Sequence, residues 1–341
     1  MKERVRHMNK GTRYALIVLS LSITCTAFGA DAANPYIGRW ALTIPGGGAG
    51  WLGVTQENGY LDASLLWGGG SVLPVDSIFT SDDSLFVMRL NKVERKDAAG
   101  TVVRTQMYPD VLMARVSGDD MELMQIEAHR NGVGIEQRQF TGKRIPPLPP
   151  KPDLSQVKFG KPITLFNGKK EDLQGWTLIG GATNGWSVED GVLVNKPIEK
   201  GARYGNLRTV AEFEDFNLKL EVNVARRENS GVYLRGTYEV QVADTAGRPL
   251  DSHNMGGIYS RITPTVGAEK PAGQWQTLDI TLLDRHVTVV LNGQKIIDNQ
   301  PLLGCTGGAL TSDELKPGPI YLQGDHTGIM YRNIVLTPVV K

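Results

Sequence analysis

The chain has 341 residues, 40% of them hydrophobic and 21% charged, which is the composition of a soluble globular protein long enough for two domains. Its 37 Lys and Arg residues nearly balance 36 Asp and Glu residues, and the basic excess lies within residues 1–32. Because no basic stripe remains beyond that segment, nucleic acid is excluded as the partner. Forty glycines and 18 prolines predict many tight turns between short strands.

Residues 1–32 have the order of a secretory signal peptide. A basic opening is followed by an apolar run from Tyr14 to Phe28 and then by the small residues of Gly29–Ala32. The run is shorter than the roughly 20 residues that cross a bilayer, which disfavours an uncleaved anchor. We expect cleavage near residues 29–32, a mature chain without a transmembrane segment, and a periplasmic or secreted location in a bacterium.

Cleavage would remove Cys25, which follows a poor lipoprotein signal, and leave Cys305 as the single cysteine. One cysteine forms no internal disulfide, so the exported fold must be held by its hydrophobic cores. We expect Cys305 to be a buried, small apolar side chain.

Residues 33–144 are predicted to form an N-terminal β-rich accessory domain, either a small β-barrel or a β-sandwich. Its clearest strands are Trp40–Ile44, Tyr60–Trp67, Leu85–Leu90, Val111–Val116 and Met121–Ala128. Gly38-Arg39-Trp40 together with Arg144 is weakly similar to a lipocalin pattern. A ligand-binding barrel is therefore the alternative to a packing or substrate-presenting domain.

Residues 145–158 form a proline-rich linker, with five prolines in Ile145–Pro152. Such a segment favours an extended polyproline II conformation, so we expect a stiff spacer at a domain boundary. Recognition by an SH3-type domain is the alternative, for which an exported protein has little use.

Residues 159–341 are predicted to form an all-β, two-sheet jelly-roll sandwich with few helical segments. Asn292-Gly293 is typical of a type I′ turn between two strands. The clearest strands are Leu218–Val224, Leu278–Leu283, His286–Leu291, Gln294–Ile297 and Ile329–Leu336.

The stretch from Asn229 to Asp244 has apolar side chains on one face and polar side chains on the other, since residues two apart in a strand share a face. The two rows are Tyr238, Val240 and Val242 against Thr237, Glu239 and Gln241. Tyr233 and Arg235 join the polar row if Gly236 is not a bulge. A polar row requires water, a partner or a ligand, so it lines a groove if it lies on the concave sheet. An exposed convex face is the alternative.

Glu239-x-Gln241-x-x-Asp244 is similar to the E-x-D-x-x-E strand of laminarinase-type glycosidases, in which two carboxylates serve as nucleophile and acid. Here the middle residue is the amide Gln241 and the last is the shorter Asp244. An ordinary double displacement on these residues is therefore not expected.

Eight motifs occur in a fixed order from about residue 160 to the C-terminus. They are Leu165–Lys169, Trp186–Leu193, Asn229–Arg235, Tyr238–Asp244, Gly257–Tyr259, Lys270–Trp275, Leu291–Gly293 and Tyr331–Ile334. Their residues and order resemble the 3-keto-disaccharide hydrolase domain, a family with a concanavalin A-like jelly roll. The chain departs from the family pattern at Gln274, at Tyr331 and by one extra residue before His326.

The resemblance implies cleavage of glycosides that carry a ketone at C3, by a hydrolase or by a lyase. The ketone acidifies the C2 hydrogen, so a base can remove it and the C1 substituent can leave by elimination, after which water adds. By this resemblance the candidate base and acid are Glu239 and His326, in either order, and His253 is a further catalytic candidate. The candidate substrate-binding residues are Arg235, Gln241, Asp244, Tyr259, Trp275 and Arg332.

No cofactor is expected, although Asp244, His253, His326 and Glu239 offer ligands for a divalent metal such as calcium. Gly48–Gly53 fits G-x-G-x-x-G, but no helical pattern follows it as dinucleotide binding requires, so we expect a separate sugar 3-oxidoreductase to install the ketone. The alternative function is a non-catalytic carbohydrate-binding jelly roll, in which Glu239 and Arg235 only form hydrogen bonds to sugar.

Overall fold

Residues 34–44, 47–197 and 202–340 are described by the computed structural model, and their regular structure is almost entirely β-strand. Two short 3-10 helices, Leu154–Gln156 and Lys170–Gly175, are the helical elements of this part of the chain. No helix among the described residues is long and apolar enough to cross a bilayer. The predicted signal peptide, with Cys25, lies outside the described residues.

The N-terminal half is one antiparallel sheet of nine strands. These are β1 (Gly38–Thr43), β2 (Ala49–Glu57), β3 (Tyr60–Trp67), β4 (Leu73–Pro74), β5 (Ser77–Ser81), β6 (Ser84–Lys96), β7 (Val102–Ser117), β8 (Asp120–Ala128) and β9 (Ile135–Ile145). Their order across the sheet is β4-β3-β2-β1-β9-β8-β7-β6-β5. Strands that follow one another in sequence are therefore paired, except β4 and β5, which end the two sides of this order, and β1 pairs with β9.

This sheet curls around its own hydrophobic core. One cluster of buried side chains takes members from strands near both ends of the sheet, among them Leu65 on β3 and Leu85 on β6. A flat sheet would hold these strands far apart, so the sheet must bend to bring their side chains together. Arg144 stacks on the Trp40 ring at 4.1 Å, which brings together two residues of the lipocalin-like pattern.

The proline segment has no regular secondary structure from residue 146 to residue 152 and is held against the rest of the protein. The Arg285 guanidinium donates to the carbonyl oxygen of Pro147 at 2.7 Å, and Asn299 donates to that of Pro152 at 2.8 Å. Arg39 of β1 donates to the carbonyl oxygen of Pro146 at 3.0 Å. The segment therefore packs along both halves and does not hold them apart as the predicted spacer would.

The C-terminal half is a sandwich of two sheets. Its strands are β10 (Lys158–Phe159), β11 (Ile163–Phe166), β12 (Trp176–Ile179), β13 (Trp186–Glu189), β14 (Val192–Asn195), β15 (Asn206–Thr209), β16 (Phe216–Val224), β17 (Asn229–Leu234), β18 (Tyr238–Ala243), β19 (Trp275–Leu283), β20 (His286–Leu291), β21 (Gln294–Pro301), β22 (Tyr321–Leu322) and β23 (Ile329–Val340). One sheet has the order β13-β14-β23-β16-β19-β20-β21, with β10 and β11 also paired to β23. The other has the order β12-β15-β22-β17-β18.

The inner faces of these two sheets enclose a single apolar core. Val240 and Val242 of β18 contribute from the five-stranded sheet, and Leu218 and Leu220 of β16 contribute from the larger one. The predicted jelly-roll sandwich preceded by a smaller β-domain is confirmed. The predicted type I′ turn is also present, since Asn292 and Gly293 both have positive φ angles.

A third, small apolar cluster joins the two halves. Ala49, Trp51 and Leu66 of the N-terminal sheet pack there with Cys305 and Ala309 of the jelly roll. Arg261 stacks on the Trp51 ring at 4.2 Å. Cys305 is fully buried and free, as expected from its isolation in the sequence, and burial raises the pKa of its thiol to about 12.

Candidate active site

A cavity of about 520 Å³ lies on the face of the five-stranded sheet that points away from the jelly-roll core. Polar and aromatic side chains of the jelly roll form most of its wall, and glycines of two N-terminal loops complete it. The wall includes Asn206, Asn229, Tyr233, Glu239, Tyr259, Tyr321, Gln323, Asp325 and His326 together with Gly48, Gly69 and Gly70. Three predicted site residues, Glu239, His326 and Tyr259, therefore meet in one cavity.

Glu239 reaches this cavity because β18 alternates. Val240 is in the core, so the Glu239 side chain points out of the opposite face toward Tyr233, its partner in register on β17. The hydroxyl of Tyr233 is 2.9 Å from Oε2 of Glu239 and 2.8 Å from the carbonyl oxygen of Gly307. Gly231 leaves room for the carboxyl group, since a Cβ at Gly231 would lie 2.3 Å from Oε1.

The carboxyl group of Glu239 favours its neutral form. Its residue is 4% exposed, and this burial raises its pKa from 4.5 to about 8, against the opposing effect of the hydrogen bond from Tyr233. The Tyr233 hydroxyl has one proton and faces two acceptors. When that proton goes to the Gly307 carbonyl, a protonated Glu239 can donate to the Tyr233 oxygen, so every partner is satisfied. The site thus contains a carboxylic acid that holds its proton at neutral pH.

His326 and Asp325 form a pair at the other side of the cavity. Nδ1 of His326 is 2.6 Å from Oδ1 of Asp325, and this hydrogen bond raises the pKa of the imidazole while partial burial opposes the rise. Their loop is anchored by Asn206, whose Oδ1 accepts from the Asp325 amide at 3.0 Å, and by Asn195, whose side chain donates to Gly324. Since Nδ1 is bound to the carboxylate, Nε2 is the nitrogen left for a substrate.

Two aromatic contacts shape the cavity further. The Tyr233 and Tyr321 rings stack with centroids 4.3 Å apart. The Tyr259 ring meets His253 edge to face at 4.8 Å, and Nε2 of His253 is 2.9 Å from the Ser71 hydroxyl of the N-terminal sheet. His253 therefore lies behind Tyr259 and does not line the cavity, so the structure places it as a support and not beside Glu239.

Arg235 is held away from the cavity by the turn between β17 and β18. Arg235 and Gly236 both have positive φ angles, and the Thr237 amide donates to the Leu234 carbonyl, which defines a type I′ turn. The Arg235 guanidinium donates to the carbonyl oxygens of Glu314 at 2.7 Å and Lys316 at 3.0 Å. The polar row predicted from the strand therefore ends at Tyr233, and Arg235 tethers a loop.

Gln241 and Asp244 also lie outside the cavity wall. Gln241 is buried, and its backbone pairs with Gly256 and Gly257, so this segment covers the outer edge of β18. The Asp244 carboxylate accepts from the amide of Arg227, a residue with φ of 64°. Asp244 thus stabilises the turn before β17.

Trp275 and Arg332 lie on the outer face of the opposite sheet. Arg332 donates to Oε2 of Glu221 at 2.6 Å and stacks on the Trp275 ring at 4.0 Å. Their strands β23 and β19 belong to the nine-stranded sheet of the sandwich, whose inner face packs on the core. The structure therefore does not bring Trp275 and Arg332 together with Glu239 in the cavity.

The four proposed metal ligands are not brought together. Asp244 and His253 make the separate contacts given above, and only Glu239 and His326 share the cavity. The described part of the chain contains no cluster of three or more His, Cys, Asp or Glu side chains arranged to hold a metal ion.

Sequence reasoning missed several residues of the wall. Asp325 stands directly before His326, and an acidic neighbour of a candidate catalytic histidine was the available signal. Tyr233 was visible only as a conditional member of the polar row. Asn229 and Gln323 offer side-chain amides in the cavity, and the Oε1 atom of Gln323 is buried without a protein partner. No motif pointed to the glycines of the N-terminal loops.

Solved structures similar to this chain include two proposed glycosyl hydrolases from Parabacteroides distasonis ATCC 8503. One is 30% identical with a TM-score of 0.42, over 57% of this chain and 93% of its own. The other is 22% identical with a TM-score of 0.42, over 52% and 94%. The carbohydrate-binding module CBM66 of Bacillus subtilis is 13% identical with a TM-score of 0.33, over 47% and 93%. No curated protein matches the chain.

The profile of the 3-keto-alpha-glucoside-1,2-lyase-like domain matches residues 161–337, just over half of the chain. The matched segment contains Glu239, Tyr233 and the His326–Asp325 pair, and it leaves out the N-terminal sheet. This match supports a glycosidase-like or carbohydrate-binding role and agrees with the motif order seen in the sequence. The chain therefore belongs to the 3-keto-alpha-glucoside-1,2-lyase-like domain family.

Proposed function

We propose that this protein cleaves 3-keto-glycosides, with His326 as the base that removes the C2 proton and Glu239 as the acid that protonates the leaving oxygen. The observation that carries the proposal is a neutral, buried carboxyl group in the same cavity as a histidine–aspartate pair. The family description, which names a 1,2-lyase of 3-keto-alpha-glucosides, supports the same reaction class.

The proton transfers balance as follows. Nε2 of neutral His326 takes the C2 hydrogen as a proton, and the electrons of that bond form the enolate of the C3 ketone. The enolate then re-forms the ketone as the C1–C2 double bond forms, the C1–O bond breaks and the leaving oxygen takes the Glu239 proton. The products are an unsaturated keto sugar and an alcohol. Addition of water across the new double bond completes hydrolysis, and its absence leaves a lyase.

The environment of each group suits its role. An acid must hold its proton until the leaving oxygen needs it, which the raised pKa of Glu239 near 8 provides. A base gains strength from a raised pKa, which the Asp325 carboxylate provides for His326. The amides of Asn229 and Gln323 line the cavity and can donate to the enolate oxygen.

A non-catalytic carbohydrate-binding protein is the competing function. In that case Glu239, Asn229 and Tyr259 would form hydrogen bonds and a stacking surface for sugar. Sugar binding by neutral polar groups does not require a carboxylate that orients His326, whereas a catalytic base does. The hydrogen bond between Asp325 and His326 therefore favours the enzyme.

The test uses two 3-keto-glucosides, one releasing nitrophenol and one releasing a second sugar. Nitrophenol leaves without protonation, so Glu239→Gln should keep most of its turnover of the first substrate. The same variant should lose about 10²–10⁴-fold in kcat on the second, where the acid is required. Equal losses on both substrates would assign Glu239 as the base, and an inactive wild-type protein that still binds the sugar would support the binding function.

We further propose that the protein is exported and cut near residues 29–32, and that a separate sugar 3-oxidoreductase supplies its substrate. Calcium or another divalent ion is not part of this mechanism. Intact-mass analysis of the exported protein checks the cleavage, and a retained Met1 or an acylated Cys25 would contradict it.

A further inference from the structure

The loop from Gly68 to Ser71, which we call the glycine loop, joins β3 to β4 in the N-terminal sheet. Gly69 and Gly70 of this loop line the cavity that contains Glu239 and His326. The family profile begins at residue 161, so it assigns no role to this loop or to the sheet that carries it.

The glycine loop is fixed to the jelly roll by several contacts. The Gly308 amide donates to the Gly68 carbonyl at 3.2 Å, and the Val72 amide donates to the Ser260 hydroxyl at 2.8 Å. Gly70 packs on Gly307 so closely that a Cβ at Gly307 would lie 2.0 Å from the Gly70 oxygen. The loop is therefore a wall of the cavity in this structure.

The contacts also show which side of the cavity the wall occupies. Gly307, against which Gly70 packs, accepts a hydrogen bond from the Tyr233 hydroxyl, and that hydroxyl is in turn bonded to Glu239. Ser71 bonds to His253, whose ring supports Tyr259, and the Tyr259 amide donates to the Glu239 carbonyl at 3.0 Å. Both series of contacts that start at the glycine loop lead to Glu239, and neither includes His326.

We propose that the glycine loop and Tyr259 form the subsite for the leaving group of the 3-keto-glycoside, and that this subsite is shaped for a second sugar. The proposal rests on the proposed function, because Glu239 marks the leaving side only if it protonates the leaving oxygen. A sugar fits the chemistry of the wall, because Tyr259 contributes an aromatic ring and the amides of the exposed residues Gly69 and Gly70 donate to no protein group among the described residues. The N-terminal sheet then acts in substrate selection.

Gly69 is the position at which this can be tested. Gly68 and Gly70 have φ angles of 76° and 78°, where other residues are strained, but Gly69 has an ordinary φ. Its absent Cβ faces open space, with no atom within 4 Å. Because Gly69 also lines the cavity, we expect a side chain there to enter it without disturbing the backbone. Gly175 has the same two properties and lies outside the cavity wall, which makes it the matched control.

The kinetic test compares Gly69→Leu with Gly175→Leu on a methyl 3-keto-glucoside and a 3-keto-disaccharide. Gly69→Leu should lower kcat/KM for the disaccharide about tenfold or more while sparing the methyl glucoside, and Gly175→Leu should change neither. Equal losses on both substrates, or no loss on the disaccharide, would overturn the proposal. Melting temperatures of both variants identify any loss that comes from unfolding.

A second test does not depend on turnover. Gly69→Cys is made in the Glu239→Gln background, and alkylation of the introduced thiol is timed with and without the 3-keto-disaccharide. The sugar should slow alkylation several-fold, and it should have no effect on Gly175→Cys. Cys305 does not interfere, because it is buried and its thiol pKa is raised to about 12.

The two tests separate the inference from the function. Protection of the introduced thiol in a protein whose wild-type form turns over no keto-glycoside would remove the proposed function and the leaving-group assignment, and would keep only a sugar-binding subsite at the glycine loop. Turnover by the wild type without protection would keep the function and remove the subsite.

Discussion

Glu239 is both a reacting group and a buried acid, and the second property has a cost in stability. Its pKa is 4.5 in an unfolded chain and about 8 in the folded protein. Between these values the folded protein holds a proton that the unfolded chain has released. The contribution of Glu239 to stability is therefore largest below pH 4.5 and is lost as the pH rises toward 8.

Glu239→Gln should for this reason stabilise the protein while it impairs catalysis. The amide carries no ionisable proton, and the gain should be on the order of 4 kcal/mol at pH 8 and close to zero at pH 4.5. Thermal unfolding of the wild type and the variant at pH 5 and pH 8.5 checks this. A melting temperature difference that does not grow with pH would contradict the raised pKa.

The pH dependence of kcat/KM should be bell-shaped, because the active form has neutral His326 and protonated Glu239. The basic limb should fall near pH 8, and the acidic limb should lie above 6.5, the ordinary pKa of histidine. Asp325→Asn removes the negative charge from the hydrogen-bond partner that is the main cause of the raised His326 pKa. The acidic limb should then move to lower pH and kcat should fall. An acidic limb that stays in place would separate Asp325 from the titration of His326.

At the scale of elements, β17 and β18 position Glu239 through a residue without a side chain. A Cβ at Gly231 would lie 2.3 Å from Oε1 and 2.8 Å from Cδ of Glu239, so Gly231→Ala must displace the carboxyl group. We expect a loss of kcat near that of Glu239→Gln with a stability loss of about 1–3 kcal/mol. Gly175→Ala, in open space with an ordinary φ, is the control. Near-normal kcat in Gly231→Ala would show that the carboxyl position is not critical.

Strand periodicity predicted most elements but could not show which sheet of the sandwich each strand belongs to. Leu218–Val224 and His286–Leu291 were found because alternation is a local property, and they lie in β16 and β20. β6 extends to Lys96, beyond the predicted Leu90, because its outer part pairs with β7 through polar contacts such as Arg95 to Gln106 at 2.7 Å. A search for alternating apolar side chains does not predict a hairpin whose strands contact each other through polar side chains.

The candidate site was predicted where its residues share one hairpin and missed where distant segments meet. Glu239 followed from the alternation of β18. Trp275 and Arg332 were grouped with it by motif, but sheet order places their strands β19 and β23 in the other sheet. Arg235 was misplaced because a positive φ at a non-glycine residue is not visible in a strand pattern. Gly69 and Gly70 entered the site through contacts between halves that no local pattern encodes.

At the scale of the whole molecule, the jelly roll has a core of its own, and a much smaller cluster joins it to the N-terminal sheet. Residues 159–341 should therefore unfold cooperatively without residues 33–145, at a lower melting temperature than the full chain. Calorimetry of that fragment is the measurement. A fragment without a cooperative transition would show that the two halves form one folding unit.

The hydrogen bonds that anchor the proline segment affect the design of chimeras in which one half of the protein is replaced. Arg39 holds the segment from the N-terminal sheet, and Arg285 and Asn299 hold it from the jelly roll. A chimera that exchanges only the N-terminal sheet would keep the proline carbonyls but lose Arg39, so the new sheet would be misaligned over the cavity. The transferable module is therefore the sheet with Arg39 and the proline segment, joined to a jelly roll that keeps Arg285 and Asn299, and a library built on that boundary should yield altered leaving-group preference more often than one cut at residue 145.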